Sequence, residues 1–568
     1  MGGERQIYVA IDLGTTNTVL TLGKRNIDNT FGTEVIEIPQ FDATKNLIQS
    51  KLLPSVLYVD NDERKYVGKI GKWMRENSSN RVVYNSKRFI GTDSRWKIGE
   101  TIISPVDVAT ELLKVCMNTI KRYTMGREIK GVTITVPASF NTDQINDTVE
   151  AAIRAGFNRK SITTISEPTA ALIDYINIQS KRIQEDRDVD FSKLKRILVF
   201  DIGGGTCDIA IIDVVQEENN LSFKEIAVGR YDDLGGVDFD TWAANYLLNK
   251  FAQERKLNLN ELSEIQKNHM INQLIIFAEQ AKERISSEVE NMEFMGIEKN
   301  NDEISFTKSI PDFYNDEICE FSLTKREFDL STKPLYYKPT KVIKDQRELP
   351  KYKNIEEPIL NTLTNYNIPI SSIDYVFLTG GMSKYIGVQE RVKEILGKDI
   401  ILSPHPMEAV SRGAAIYNYY SIEETKSDND VNPKEIQKDG GDSAILDITK
   451  VLAEAIMIDV DEGLPEVILK ANQRIPYTGQ LKGKLKTSSP SGLKINLYAG
   501  KDKYDSAMRI QRSYTGSYTF PVKTGTPITI EYSIDENKHL SMEVVVEDSL
   551  NERIKIGVES DVNVYEGR

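Results

Sequence analysis

Two stretches of this sequence combine residue types that can do chemistry. From Ile197 to Ile212 an apolar run ends in Asp201, turns through Gly203, Gly204 and Gly205, and returns through Thr206, Cys207 and Asp208 into a second apolar run. β-branched and aromatic residues on both sides predict strands. Three glycines permit a tight turn whose backbone amides can approach a ligand closely. Asp201, at the strand end, can hold a divalent cation through water. The pattern suits a phosphate with its magnesium, although an ordinary hairpin with a glycine-rich turn shares the local composition. Two other phosphate loops do not fit. A dinucleotide loop needs G-x-G-x-x-G opening a helix, whereas these glycines open a strand, and no G-x-x-x-x-G-K-[ST] run occurs.

The stretch has a counterpart near the N-terminus. From Tyr8 to Leu22 an apolar run meets Asp12, Leu13 and Gly14, then Thr15, Thr16 and Asn17, then apolar residues again. Such self-similarity predicts two related lobes that face each other. Two acidic hairpins meeting at a cleft would grip one polyphosphate from both sides, which an unrelated pair of hairpins would not do. Glu167 adds a carboxylate between the strand end Ile165-Ser166 and a helix opened by Pro168. Taken locally it is also explained as an N-terminal helix charge.

Composition limits what these residues can serve. A chain of 568 residues implies several domains. Hydrophobic content of 40% beside 28% charged residues describes a soluble globular protein. A net charge of −13 argues against a nucleic-acid surface. Cys116, Cys207 and Cys319 lie far apart, so reduced thiols in a cytoplasmic setting are expected. His269, His405 and His539 are isolated and predict no zinc site. The N-terminal apolar run is broken by Asp12, so neither a signal peptide nor a membrane span is expected.

The elements that must position the chemistry follow in order. Leu52 to Val59 reads as a strand entered through Pro54, Lys65-Tyr66-Val67 as its return, and Gly68 to Lys72 as a turn. Residues 105–123 have helical period, and Val132 to Pro137 is a strand. Asn141 or Thr142 caps a helix through Ile153. Leu234 to Asp240 is a glycine turn before a helix, and residues 262–288 form a long helix with Leu274, Phe277, Ala278, Ala281 and Ile285 on one face. Residues 329–355 read as a loop, Tyr375 to Gly381 as a strand ending in glycines, and Ala409 to Tyr420 as a helix. Ser421 to Asp442 is polar and suits a linker. From 465 onward, short alternating runs predict an all-β sandwich.

Seven motifs in register resemble those of the seventy-kilodalton heat-shock chaperone family over nearly the whole chain. They are Ile11 to Asn17, Lys87-Arg88-Phe89-Ile90-Gly91, Ile134 to Asn141, Ser166 to Ala171, Asp201 to Asp208, Leu234 to Asp240, and Gly380-Gly381. The resemblance implies a multidomain protein. An α/β actin-like ATPase of two ribonuclease-H-like lobes (1–420) is expected around ATP and Mg2+. An interdomain linker (421–448) and a β-sandwich peptide-binding domain (449–568) follow.

Roles carry over by motif. Asp12 and Asp201 match the positions that hold magnesium through water. Gly14, Thr15, Thr16 and Asn17 match the first phosphate hairpin, and Gly203, Gly204, Gly205 and Thr206 the second. Lys72, aligned through Tyr66-Val67-Gly68, matches the catalytic lysine, which would neutralise γ-phosphate charge; a lysine in a turn is otherwise simply solvated. Glu167 matches the carboxylate that orients attacking water, Asp208 a further acid, and Pro137 a proline tied to signalling between domains. Thr206 and Asp201 complete the catalytic set. Gly235, Gly236, Glu279, Lys282, Ser286, Gly380, Gly381, Ser383 and Lys384 match positions around ribose, adenine and phosphate.

Departures from the family pattern bear on coupling. Lys384 replaces an arginine that stacks better on adenine. Glu283, Val237 and Met407 also depart, and Ile145 stands where an interdomain arginine is usual. Ala444-Ile445-Leu446 is a weak version of the leucine-rich linker, and the stretch between Lys72 and Pro105 is short. No amphipathic helical stretch follows the last predicted strand, so a member lacking the helical lid is expected, with faster peptide release. The expected function is an ATP-dependent chaperone, slow in hydrolysis, that binds extended apolar segments of unfolded polypeptides. Expected partners are those clients, a J-domain co-chaperone and a nucleotide-exchange factor, with no nucleic acid and no membrane. Leu493, Ile495 and Leu497 fall in the strand matching the peptide cleft and equally suit sandwich core. The alternative is a nucleotide-gated module for one dedicated partner with negligible turnover. A small-molecule kinase of the same superfamily would have no use for the β module.

Overall fold

The structure is a computed structural model that describes residues 6–25, 31–125, 127, 129–182, 186–217, 220–231, 234–296, 301–337, 354–430, 445–460, 464–504, 509–511, 513–547 and 552–558. Two mixed sheets of the same plan carry the two acidic hairpins. In the first, the order is Ile162–Ser166, Ile129–Val136, Ile7–Leu13, Asn17–Arg25, Phe31–Val35, with Leu52–Pro54 also pairing Asn17–Arg25. Ile7–Leu13 pairs antiparallel with Asn17–Arg25 and parallel with Ile129–Val136. In the second, Lys195–Ile202 pairs antiparallel with Cys207–Glu217 and parallel with Tyr375–Thr379. Each sheet is thus an antiparallel meander extended by parallel strands beyond its first strand. Parallel strands demand cover on both faces, which explains why Leu198, Val199, Phe200, Ile209, Ala210 and Ile211 are all buried.

Helices supply that cover. Pro105–Thr124 starts at a Ser104 capping box with Asp107, and Thr142–Arg154 at an Asn141 box with Gln144. Both close the core of the first sheet. Glu167–Ser180 and Ala409–Asp430 share one core that includes Ala10 from the first sheet and Val199 and Phe377 from the second. These two helices therefore lie between the sheets. Gly236–Glu254 and Glu264–Phe294 cover the other face of the second sheet.

Several sequence expectations are corrected. Lys72 lies in a helix, Lys69–Asn77, rather than in a turn. The run Leu52 to Val59 is divided into Leu52–Pro54 and Leu57–Val59, which join different sheets. The helix expected to end at Tyr420 continues to Asp430, since no glycine or proline interrupts it before Pro433. Within the expected loop 329–355, Lys325–Thr332 extends as a helix, while 338–353 lie outside the described residues. So do residues 431–444, with Ala444.

Among the described residues, the C-terminal part is all β. A four-stranded sheet (Glu466–Leu469, Ala455–Ile458, Leu497–Gly500, Arg509–Ile510) and a six-stranded sheet built on Tyr477–Lys486, Pro527–Ile534 and Leu540–Val546 enclose a separate core. Alternation along Leu540–Val546 buries Leu540, Met542, Val544 and Val546. Leu493, Ile495 and Leu497 are buried in that core.

One strand joins this part to the rest. Ile445–Val451 lies parallel to Asn220–Tyr231, extending the second sheet, and its last two residues pair with Arg474–Ile475. Ile145 is buried in the core of the first sheet. Contacts between the parts come from other residues. Lys450 Nζ donates to the carbonyls of Thr164 and Glu536, at 3.0 and 3.2 Å. Asn537 Oδ1 accepts from the Thr164 amide at 3.1 Å, and Lys538 Nζ donates to the Ala138 carbonyl at 3.0 Å.

Candidate functional site

The two acidic hairpins meet. A Cβ on Gly204 would stand 1.6 Å from Thr16 Oγ1, and one on Gly205 would stand 2.3 Å from Thr15 Cγ2. Glycine is therefore required on one hairpin so that the other can touch it. Each turn is fixed from behind. Ser55 Oγ donates to the Gly14 carbonyl at 2.7 Å, while the amides of Gly236 and Val237 donate to the carbonyls of Gly203 and Gly204 at 3.0 and 2.7 Å. Between the hairpins opens a cleft of about 380 Å³.

Most of the residues singled out in the sequence line this one cleft. They are Asp12, Gly14, Thr15, Thr16, Asn17, Lys72, Glu167, Asp201, Gly203, Gly204, Thr206, Gly236, Glu279, Lys282, Ser286, Gly380, Gly381 and Lys384. Gly205, Gly235 and Ser383 stand just behind its wall. The Gly205 carbonyl accepts from Arg88 Nε at 2.6 Å, Gly235 is the N-cap of Gly236–Glu254, and Ser383 Oγ donates to the Gly380 carbonyl at 2.7 Å. Asp208 sits beside Asp201 across the hairpin and accepts from Ser139 Oγ at 2.8 Å. Pro137 precedes that serine by two residues.

The cleft has two charged ends. At the hairpins, Asp12, Glu167, Asp201 and Asp208 converge with Lys87, whose Nζ donates to Glu167 Oε1. Asp12 accepts from Thr135 Oγ1 at 2.9 Å. Burial, then the charge of Glu167, pushes the Asp12 carboxyl up to about 7. Burial also pushes Asp201 well above the usual carboxylate range, reinforced by Glu167, Asp208 and Asp12. At the far end, Lys72 Nζ donates to Glu279 Oε1 at 2.7 Å and Arg75 to Oε2 at 3.3 Å. Burial opposes charge on Lys72, but Glu279 and then Glu283 outweigh it and hold its pKa above the ordinary lysine value. Lys282 donates to Asp240 at 2.8 Å and to the Gly236 carbonyl at 3.2 Å.

The donor set fits a nucleotide phosphate with magnesium held through water. Thr15 Oγ1 and Thr16 Oγ1 are buried at the cleft without a hydrogen-bond partner, which suits hydroxyls that donate to phosphate oxygens. Among the described residues, no three His, Cys, Asp or Glu side chains are grouped so as to ligate a metal directly. Asp12 and Asp201 both line the cleft, one from each sheet, and are close enough that the Asp12 charge helps to raise Asp201.

Sequence reasoning missed some of the machinery. The sequence places Lys87 and Arg88 in a motif but assigns them no role, yet both are buried or half-buried at the hairpins. Arg75 carries no motif signal, and although Thr135, Ser139, Asp238 and Asp240 fall within motifs, the sequence assigns them no role, because each finds a partner in a distant segment.

A family model described as Hsp70 protein matches residues 8–320 and 349–563. The chain belongs to the Hsp70 family. It is 27% identical over 541 residues to the chaperone protein DnaK of Thermosipho africanus, covering 94% of this chain and 77% of that protein. The corresponding protein of Thermosipho melanesiensis is 28% identical over 541 residues, with 94% and 78% covered. That of Thermotoga maritima is 27% identical over 550 residues, again with 94% and 78%. Membership accounts for the mixed sheets followed by a β module and implies an actin-like ATPase joined to a β-sandwich. No helix among the described residues is long and apolar enough to cross a membrane.

Proposed function

We propose that this Hsp70 family member is a cytoplasmic, ATP-hydrolysing chaperone that binds extended apolar segments of unfolded polypeptides, with affinity gated by the nucleotide. Its ATPase domain (1–420) would consist of two ribonuclease-H-like lobes, joined through 421–448 to a peptide-binding sandwich (449–568). A J-domain co-chaperone and an exchange factor are the partners this reading calls for. The observation that carries it is the strand Ile445–Val451 added to the sheet that bears the Asp201 hairpin. A strand so placed makes the position of the sandwich depend on the sheet that surrounds the phosphates, and such coupling must run in both directions.

The residues divide the work. Thr15, Thr16, Asn17 and the Gly203–Thr206 turn would grip the phosphates, and Gly235, Gly236, Glu279, Lys282, Ser286, Gly380, Gly381, Ser383 and Lys384 the nucleoside end. Asp12 and Asp201 would hold the water shell of Mg2+. Magnesium supplies neutralisation of the charge that develops on the β- and γ-phosphate oxygens. Glu167 would orient the attacking water, with Asp208 supporting Asp201. Lys72 rests on Glu279 and would swing its flexible stem toward the γ-phosphate when ATP is bound.

The second reading, a nucleotide-gated module with negligible turnover, is favoured by that same Lys72–Glu279 pair, which keeps the ammonium from the hairpin end. Single-turnover hydrolysis decides between them. Wild type should exceed Lys72→Ala by about 100-fold, the range of a lost electrostatic group. Equal rates would sink the hydrolytic cycle. Peptide dissociation measured with ATP and with ADP tests the gating, and identical rates would exclude it.

A further inference from the structure

The buried acid Glu279 holds two cations, and the hydrolytic cycle takes one of them away. We propose that Arg75 is the counter-ion that stays: it neutralises Glu279 whenever Lys72 leaves for the γ-phosphate, so it is a positioning residue that frees Lys72 for hydrolysis. The inference rests on reading the cleft as the site of ATP hydrolysis.

Lys72 and Arg75 share the helix Lys69–Asn77 at a spacing that puts both on one face. Both line the cleft, and each takes one oxygen of Glu279. Lys72 Nζ donates to Oε1 at 2.7 Å, and Arg75 Nη1 to Oε2 at 3.3 Å. Their settings differ. The Lys72 side chain is 38% exposed and has room to move, whereas that of Arg75 is 11% exposed and its guanidinium lies 4.3 Å from the centre of the Tyr84 ring. A planar guanidinium on an aromatic face keeps its orientation. Arg75 also has a donor in reserve: its Nε is buried without a hydrogen-bond partner among the described residues. A guanidinium can present two parallel donors to a carboxylate, so Arg75 can take both oxygens of Glu279 once Lys72 has gone.

That capacity matters because Glu279 is only 8% exposed. A buried carboxylate with no other partner would hold the lysine back, since its departure would leave an unpaired charge. Lys282, on the same helix as Glu279, is engaged by Asp240 at 2.8 Å. Arg75 acts on Lys72 as well. Burial and then the Arg75 charge oppose the proton on the Lys72 amine, against the stronger combined pull of Glu279 and Glu283. Arg75 therefore loosens the Lys72–Glu279 pair while the pair exists and replaces it when the pair parts.

A purely structural arginine predicts that removing it costs the same whether or not Glu279 is charged. A counter-ion for Glu279 predicts that the cost disappears with the acid. The test is calorimetry on the full chain with Mg2+, comparing a non-hydrolysable ATP analogue with ADP, since only the triphosphate draws Lys72 away. Arg75→Met should lower the preference for the analogue over ADP about tenfold, and Arg75→Lys, which keeps the charge, should restore most of it. With Glu279→Gln already in place, Arg75→Met should change that preference by less than about twofold. An equal loss in both backgrounds, no loss in either, or an Arg75→Lys protein no better than Arg75→Met overturns the proposal. If Arg75→Met does not fold, Arg75→Gln is read in the same way. Single-turnover hydrolysis should follow the same pattern, about tenfold slower in Arg75→Met. Wild type that hydrolyses nothing would refute the ATPase reading. Acylation of the Lys72 amine without nucleotide, mapped by mass spectrometry, would still decide on Arg75: it should slow in Arg75→Met as Glu279 tightens on the ammonium, and an unchanged rate overturns the proposal.

Discussion

A methyl group on Gly204 would stand 1.6 Å from Thr16 Oγ1 and 2.8 Å from its Cβ. Rotating the threonine relieves the first contact but not the second, so Gly204→Ala must part the two hairpins. Parting them separates the donors meant for one polyphosphate, and misplacement of about 1 Å can cost on the order of 100-fold in a positioned reaction. Gly204→Ala should therefore weaken ADP binding, measured by calorimetry, at least tenfold, while the melting temperature changes little because the turn lies outside the cores. Retained affinity would mean that the hairpins do not act as one grip. Gly380 is limited in the same way: its φ is 84°, and a Cβ would stand 2.4 Å from Asp201 Oδ1.

Among the elements, the two helices between the sheets set the site most directly. Glu167 is the first residue of one of them, so its carboxylate goes wherever that helix is held. The helix Ala409–Asp430 holds it through close backbone approach: a Cβ on Gly413 would stand 1.7 Å from the Ala170 carbonyl oxygen. Thr21 and Asn418 tie the same helix to the first sheet, Thr21 Oγ1 donating to Ser411 Oγ and Asn418 Nδ2 to the Val9 carbonyl, both at 2.8 Å. Gly413→Ala has to push the helices apart, which costs about 1–3 kcal/mol or more by overpacking. Urea unfolding should show that loss, together with slower hydrolysis as Glu167 shifts. An unchanged midpoint would show that the helix pair yields without strain.

At the scale of the whole molecule, the tip of the turn 535–539 presses on the ends of the strands that lead to Ser139 and Glu167. Lys538 at that tip faces Glu225, Asp208 and Lys450, and burial followed by the Lys450 charge lowers its pKa from the ordinary 10.5, against the pull of the two acids. A lysine that binds its proton less tightly when docked releases protons on docking. Docking should therefore strengthen as pH rises from neutrality toward 10.5. Energy transfer between dyes on the N-terminal part and the C-terminal sandwich should rise over that window in wild type and lose its slope in Lys538→Met. A slope that survives in Lys538→Met would assign the pH response elsewhere.

The sequence by itself determined the local elements and the membership of the cleft. Asp12 and Asp201 each end an apolar run before a glycine or small-residue turn, and that information lies within about a dozen residues of each. The capping boxes at Ser104, Asn141 and Ser263 are likewise local. Tertiary structure decided the pairings. Lys72 finds Glu279 across 207 positions and Lys87 finds Glu167 across 80, distances over which spacing carries no signal. It also decided that Ile145 belongs to a core, and that Lys450, Asn537 and Lys538 are among the residues that bridge the two parts. The physical reason is common to all of these. A hairpin or a cap is fixed by the conformations of neighbouring residues, whereas the partner of a buried charge is fixed by which distant carboxylates or carbonyls the fold leaves to satisfy it.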